Sequence, residues 1–125
     1  MTAPKIPPSA KNQIHLIQAD IILLDDNQVF ADAFKFRFAR KNVVHFADPR
    51  DFLTICHIYV KDASICIDHD FGIEIPIKGL QVAETLHHHG FSKLYLVSNN
   101  YFHDSELPHY LTFIEKINLE FLTVL

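Results

Sequence analysis

The sequence has little cysteine, no apolar run of membrane-spanning length and no excess of positive charge. Its two cysteines, Cys56 and Cys66, form neither a disulfide framework nor a zinc-binding spacing, so both are predicted to be small core residues. The first five residues lack the cationic start and the apolar core of a secretory signal. These absences argue against a membrane protein and favour a cytoplasmic location.

Net charge and chain length further limit the class of protein to which the chain can belong. The eleven Lys and Arg residues are scattered, and the formal net charge is −4 with histidine neutral. A nucleic-acid-binding surface is therefore not expected, because such surfaces concentrate positive charge. With 125 residues, of which 49% are hydrophobic, the chain can bury one core, whereas two halves would each be marginal. We predict one domain over residues 20–125, preceded by an N-terminal extension, residues 1–19.

The extension begins with a proline-rich lead and continues with a segment that two patterns describe about equally well. Ser9 is placed to cap a short helix that runs through Gln18. The apolar residues Ile14 and Leu16 suit a strand almost as well. A short helix is the prediction, and the strand stays open as its alternative.

Beyond residue 20, short apolar runs alternate with helical patterns. The predicted strands are residues 21–24, 43–46, 63–67, 94–97 and 111–115. Helices are predicted over residues 27–41, over residues 49–59 with Asp48 as N-cap, and over residues 79–89, ended by Gly90. This alternation is typical of a parallel sheet with right-handed crossovers, so the predicted fold class is a doubly wound α/β domain.

Carboxylates stand where two of the predicted strands end. Asp25 and Asp26 follow residues 21–24, and Asp68 follows residues 63–67. The carboxyl ends of parallel strands meet at one edge of the sheet, so we expect these acids to converge on one crevice. Clustered acidic oxygens suit a hard divalent cation such as Mg²⁺. The alternative is that Asp25 or Asp26 only caps the helix that begins near Asn27.

The order of special residues along the chain resembles the receiver domain of two-component response regulators. That family has an acidic pair after the first strand, an aspartate after the third, a serine or threonine after the fourth and a lysine after the fifth. The residues that match are Asp25 and Asp26, Asp68, Ser98 and Lys116, and Phe113 matches the family's switch aromatic. The resemblance covers residues 20 to about 117 and implies a five-stranded sheet in the order 2-1-3-4-5.

The resemblance implies that Asp68 is a phosphoacceptor served by a histidine kinase or a phosphotransfer protein. Mg²⁺ would be the cofactor, held by four residues: Asp25, Asp26, Asp68 and, through its backbone carbonyl, Asp70. Because such a domain carries out only its own phosphorylation and dephosphorylation, it is not expected to be an enzyme that turns over substrates. A less favoured alternative is a small aspartyl-phosphate hydrolase with Asp70 as its second catalytic acid.

Three further residues receive roles from the resemblance. Ser98 and Lys116 would contact the phosphoryl group, the hydroxyl as a hydrogen-bond donor and the ammonium as a mobile point charge. Ser98 and Phe113 would form the switch that carries the change to a partner-binding surface. From residue type alone, Ser98 is equally a turn residue, Lys116 a surface lysine and Phe113 a core aromatic.

Several positions depart from the family pattern. Gly72 stands four residues after Asp68, and Ile117 follows Lys116, where the family has proline at both places. The interval between the fourth and fifth strands leaves room for only one or two helical turns, over residues 103–109. These departures keep an alternative open, a degenerate receiver-like interaction module that does not cycle phosphate.

The C-terminal segment, residues 117–125, is short and apolar. An isolated helix of this length is marginal in water and would have no polar face, so the segment must be buried against this chain or a partner. We therefore predict a C-terminal helix that is shortened or absent, and a homodimer through this face.

Histidines are unusually frequent, and His87 to His89 are consecutive on a predicted helix. Their side chains point about 100° apart, so they cannot share one tetrahedral metal site without ligands from elsewhere in the chain. A position in the last helical turn, where cations complement the helix dipole, is the favoured role. His69 follows Asp68 and borders the mouth of the predicted site, with no role assigned.

Overall fold

Five parallel strands form one sheet in the order β2-β1-β3-β4-β5, which confirms the predicted fold class and strand order. The strands are β1 (Ile21–Leu24), β2 (Val43–Phe46), β3 (Ser64–Ile67), β4 (Leu94–Ser98) and β5 (Leu111–Glu115). In the central register, Ile22 pairs with Val44 on one side and with Ile65 on the other. Both β1 and β3 are buried along their whole length, which explains why their sequences are continuous apolar runs.

The structure is a computed structural model in which residues 15–117 are described. Two predictions therefore lie outside the described residues, in whole or in part. These are the beginning of the N-terminal segment and the apolar C-terminal segment with its expected dimer face. Between them, the doubly wound domain is described without a gap in its backbone.

Three helices cross over between strands. They are α1 (Gln28–Arg37), α2 (Pro49–Ile55), which continues as a 3-10 turn over Cys56–Ile58, and α3 (Gly79–His88). The predicted N-cap at Asp48 is present, since its Oδ1 accepts from the Arg50 N–H at 2.9 Å. None of the helices in residues 15–117 combines the length and the apolar character that crossing a bilayer requires.

The first helix is shorter than predicted. It ends at Arg37, because Phe38 turns into the core and Lys41 N–H donates to the Phe38 carbonyl at 2.9 Å. The resulting turn brings the chain directly into β2. The positive charges that follow Phe38 therefore belong to a loop and do not extend the helix.

The sheet separates two apolar cores. One lies under α2 and α3 and contains Ile22, Phe52 and Leu86, and the other lies under α1 and contains Leu23 and Phe34. Cys56 belongs to the first core and Cys66 to the second, and both are buried free thiols, as predicted. Successive residues of β1 thus face opposite cores, as the strand period requires.

Two irregular segments flank the sheet. The helix predicted to run through Gln18 is wrong at its C-terminal end, because Ile17 forms a parallel bridge with Tyr59. Its N–H donates to the Ile58 carbonyl at 2.8 Å, so this part of the extension is held alongside the end of α2. Between β4 and β5 the chain makes a single 3-10 turn at Asp104–Glu106, in place of a full helix.

Candidate functional site

Three carboxylates meet at the carboxyl edge of the sheet. Asp25 and Asp26 follow β1 and Asp68 follows β3, and one oxygen of each lies within 4.8 Å of the others. Asp25 is only 1% exposed and Asp68 8%, whereas Asp26 is open to solvent. The predicted convergence therefore exists, and it arises because β1 and β3 are neighbours in register: Leu24 pairs with Ile67.

Lys116, the first residue after β5, reaches into this cluster. Its Nζ lies 2.8 Å from Asp25 Oδ2 and 3.5 Å from Asp68 Oδ1, and 4.6 Å from the centre of the Phe30 ring. Asp25 Oδ2 is buried and accepts no hydrogen bond of acceptable angle, so its contact with the ammonium is an ion pair by distance alone. This leaves lone pairs on that oxygen for a further positive ligand.

The charge balance of the cluster shows why a cation fits there. Burial and then the negative charge of Asp25 raise the pKa of Asp68 to about 6, although Lys116 and the His69 N–H act in the opposite direction. One buried ammonium thus does not compensate the three carboxylates. A set of acidic oxygens that one ammonium only partly neutralises suits Mg²⁺, which binds one or two carboxylates and keeps several waters.

The turn after β1 is fixed from two sides. Asp25 Oδ1 accepts from the Asn27 N–H at 2.9 Å, and the Asp25 carbonyl accepts from His45 Nε2 at 2.7 Å. Asn27, whose Oδ1 accepts from the Phe30 N–H, is the N-cap of α1. The alternative that Asp25 or Asp26 is only a helix cap is therefore wrong. A role for His45 at the site was not predicted from the sequence. Its position in β2, opposite Leu23 of β1, is the feature that could have indicated this role.

The carboxylate of Asp70 lies outside the cluster. It is exposed, pairs with Lys78 Nζ at 3.2 Å and accepts from the Gly72 N–H at 3.2 Å. These contacts, the Gly72 bond first, hold the pKa of Asp70 below its usual value. The Asp70 carboxylate therefore does not join the other three, because it pairs with Lys78, which an antiparallel backbone bridge places opposite it. The predicted metal contact of its backbone carbonyl stays a prediction.

Helix α3 starts directly against the phosphoacceptor candidate. Gly79 N–H donates to the His69 carbonyl at 2.8 Å. A Cβ at Gly79 would lie 2.3 Å from the Asp68 carbonyl oxygen, so only glycine fits this approach. The His69 N–H in turn donates to Asp68 Oδ1 at 2.9 Å. This glycine was not singled out in the sequence, where it reads only as a helix start.

The predicted switch residues lie on the far strands. Ser98 ends β4, is buried, and accepts from the Asn100 N–H at 3.1 Å through Oγ. Phe113 in β5 is half-buried and contacts Phe102, with ring centres 5.7 Å apart. Phe102 also contacts the ring of His69 at 4.9 Å, so aromatic packing links the neighbour of Asp68 to Phe113. Phe102 lies in an irregular segment, where no periodic pattern marks it.

Comparison with known proteins supports the fold. No protein-family model matches the sequence, and no curated protein matches it either. The structure of the Francisella response regulator 1452 receiver domain is similar with a TM-score of 0.62 and 15% identity, over 85% of this chain and 91% of that chain. The response regulator StyR is similar with a TM-score of 0.58 and 14% identity, over 77% of this chain and 50% of that chain.

The chain therefore spans about half the length of StyR. With both structures it shares the receiver fold. In this chain, the three acids and Lys116 lie at one edge of the sheet.

Proposed function

We propose that this domain accepts a phosphoryl group on Asp68 from the phosphohistidine of a histidine kinase or phosphotransfer protein. The observation that carries the proposal is the environment of Asp68. It is a buried carboxylate in a cluster of three acids, and the Lys116 ammonium lies 3.5 Å from its Oδ1. The receiver fold of the two similar structures supports the same reaction class.

The reaction is a displacement at phosphorus. An Asp68 oxygen attacks the phosphorus atom, a new P–O bond forms as the P–N bond to the donor imidazole breaks, and the imidazole takes up a proton as it leaves. The incoming group brings negative oxygens toward a site that is already acidic. Lys116 is placed to offset part of that charge, because its ammonium contacts both Asp25 and Asp68.

Asp25, Asp26 and Asp68 would hold Mg²⁺, with the Asp70 carbonyl as the further predicted ligand. When bound, the ion supplies charge compensation between the carboxylates and the phosphoryl oxygens. The protein itself positions the carboxylates, because the Asn27 N–H and His45 fix the turn that carries Asp25.

The output of the domain is proposed to pass through Ser98 and Phe113. The Ser98 hydroxyl accepts from the Asn100 N–H and still has its own proton to donate to a phosphoryl oxygen. A turn of Ser98 toward that oxygen would pull on the segment after β4, in which Phe102 packs on Phe113. We place the domain in the cytoplasm as part of this proposal, with no activity beyond its own phosphorylation and dephosphorylation.

The expected homodimer also remains a proposal. Ile117, at the start of the apolar C-terminal segment, is exposed. Light scattering over a concentration series tests the dimer, with Phe121→Asp and Leu122→Asp as the disrupting pair. A chain that stays monomeric at high micromolar concentration would rule it out.

Intact-mass measurement after incubation with acetyl phosphate and Mg²⁺ tests the phosphoacceptor. We expect an acid-labile adduct of one phosphoryl group in the wild type and none in Asp68→Asn. Asp70→Asn is the matched control, because Asp70 is a neighbouring acid whose carboxylate is turned to Lys78. An adduct on Asp68→Asn at the wild-type level would remove Asp68 from the role, and no adduct on the wild type would favour the degenerate interaction module.

A further inference from the structure

A cluster of histidines lies at the opposite end of α3 from Asp68. The His87 ring stacks flat on the Tyr110 ring, with centres 4.0 Å apart and planes 7° apart. His109, which comes from the turn before β5, has its ring centre 6.1 Å from that of His87. The centre of the His88 ring is 5.8 Å from that of His87. Two separate segments of the chain thus bring imidazoles together.

Among residues 15–117, the rings of His87 and His109 make no hydrogen bond or ion pair, so their nitrogens are available to a ligand within this part of the chain. A carboxylate is close by, since Glu84 precedes His87 by about one helical turn and its Oε1 is 3.9 Å from His88 Nε2. Burial raises the pKa of Tyr110, and the negative charge of Glu84, on the neighbouring turn of α3, adds to the shift.

We propose that His87 and His109 bind a Zn²⁺ ion, with Glu84 as the third protein ligand. Zinc lies about 2.1 Å from an imidazole nitrogen, so two rings on one tetrahedral ion have centres roughly 5 Å apart. The observed separation of 6.1 Å is about 1 Å longer, a difference that rotation of the exposed His109 side chain can close. Consecutive histidines on a helix cannot share such an ion, and His109 removes that objection because it comes from another segment.

Closing the site requires only side-chain rotation. Within residues 15–117, the only three histidine, cysteine or acidic groups with ligand atoms already within 4.8 Å of one another are the aspartates at the sheet edge. Glu84 and His109 are exposed and free to turn, whereas His87 is half-buried and oriented by Tyr110. The stacked tyrosine thus acts as the support that fixes one ligand in advance.

Bound zinc would connect the end of α3 to the start of β5. The segment between β4 and β5, which contains a single 3-10 turn, would then be tied at its far end. The proposal does not depend on phosphorylation of Asp68, because no residue is shared between the two sites.

Calorimetric titration with ZnCl₂ at pH 7.5 tests the site, using the Asp25→Asn/Asp26→Asn variant to remove competition from the acidic cluster. We expect one ion per chain with micromolar affinity. His109→Ala and His87→Gln should each weaken it by about tenfold or more. His57→Ala is the control, since His57 is an exposed histidine in the turn after α2, and it should leave the affinity unchanged.

Lowering the pH to 5.5 should weaken binding as well, because imidazole ligands must be deprotonated. His109 is exposed, so its substitution should leave the melting temperature without zinc unchanged, and a loss of affinity can then be assigned to the ligand. Wild-type affinity in both His109→Ala and His87→Gln, or no binding at micromolar zinc, would overturn the proposal.

Discussion

At the scale of single residues, the surroundings of Asp68 disfavour its ionised form. Its pKa is raised from the ordinary 3.8 to about 6 by burial and by Asp25. The folded chain therefore binds this proton more tightly than the unfolded chain does. The contribution of Asp68 to stability is full below its ordinary pKa of 3.8 and is lost as the pH rises through about 6, because ionisation costs more in the folded state than in the unfolded one.

Removing that charge should stabilise the metal-free protein. In the presence of EDTA at pH 7.5, Asp68→Asn should raise the free energy of unfolding by about 1 to 2 kcal/mol, after allowance for solvent screening at the mouth of the crevice. The gain should shrink as the pH falls and vanish at about pH 3, below the ordinary pKa of 3.8, where Asp68 is protonated in both states. Urea unfolding at both pH values measures it.

Asp70→Asn serves as the opposite control in that experiment. Because Gly72 and Lys78 lower the pKa of Asp70, its carboxylate favours the folded state above its ordinary pKa. The substitution should therefore give no gain in stability at pH 7.5. A similar gain from Asp68→Asn and Asp70→Asn would contradict the cause given for the raised pKa.

Lys116 is the counter-charge of two buried acids, so its loss should be costly. We expect Lys116→Met to lower the free energy of unfolding by about 3 kcal/mol, since it leaves Asp25 buried and unpaired. Lys78→Met removes an exposed ion pair with Asp70 and should cost much less than Lys116→Met. Denaturant unfolding of both variants compares them, and equal losses would mean that the Lys116 contacts are not those of a buried pair.

At the scale of elements, α3 is positioned by the absence of a side chain at its first residue. Helix propensity favours alanine over glycine by about 1 kcal/mol, but at Gly79 the added methyl group would collide with the Asp68 backbone. Gly79→Ala should therefore destabilise the protein and reduce phosphorylation of Asp68. Thermal melting and the acetyl phosphate assay measure the two effects.

Gly90 supplies the comparison at the other end of the same helix. It has a φ of +94° but open space around its Cβ position, so Gly90→Ala should cost about 1 to 2 kcal/mol of backbone strain. Phosphorylation of Asp68 in the Gly90→Ala variant should stay at the wild-type level, because the strain is far from Asp68. Equal loss of phosphorylation in the two variants would argue against a specific contact between Gly79 and the site.

The elements that could be predicted from the sequence are those that residues close together in the chain determine. Continuous apolar runs mark β1 and β3 because both strands are buried on two faces, and Asp48 before Pro49 marks the start of α2. The direction of the Asp70 carboxylate could not be predicted, since it depends on a pairing with Lys78 across a loop. Ile17 was misassigned for the same reason, because its bridge partner Tyr59 is remote in sequence.

At the scale of the whole molecule, a cation that binds only the folded chain should stabilise it. Millimolar Mg²⁺ should raise the melting temperature of the wild type, because the acidic cluster exists only when β1 and β3 are paired. The shift should be lost in Asp25→Asn/Asp26→Asn, whereas Asp48→Asn, at a remote helix cap, should keep it. Differential scanning calorimetry distinguishes them, and an unchanged shift in the double variant would contradict the assignment of the ligands.

The ion pair between Asp25 and Lys116 joins the beginning of the sheet to its end. During synthesis on the ribosome, the residues of β1 and β3 emerge early, but the charge that balances Asp25 emerges only after β5 has been made. A growing chain therefore carries its acids before it carries their counter-charge. Under the proposed function, the ability of Asp68 to receive a phosphoryl group would therefore be acquired last, once Lys116 has joined Asp25 at the edge of the completed sheet.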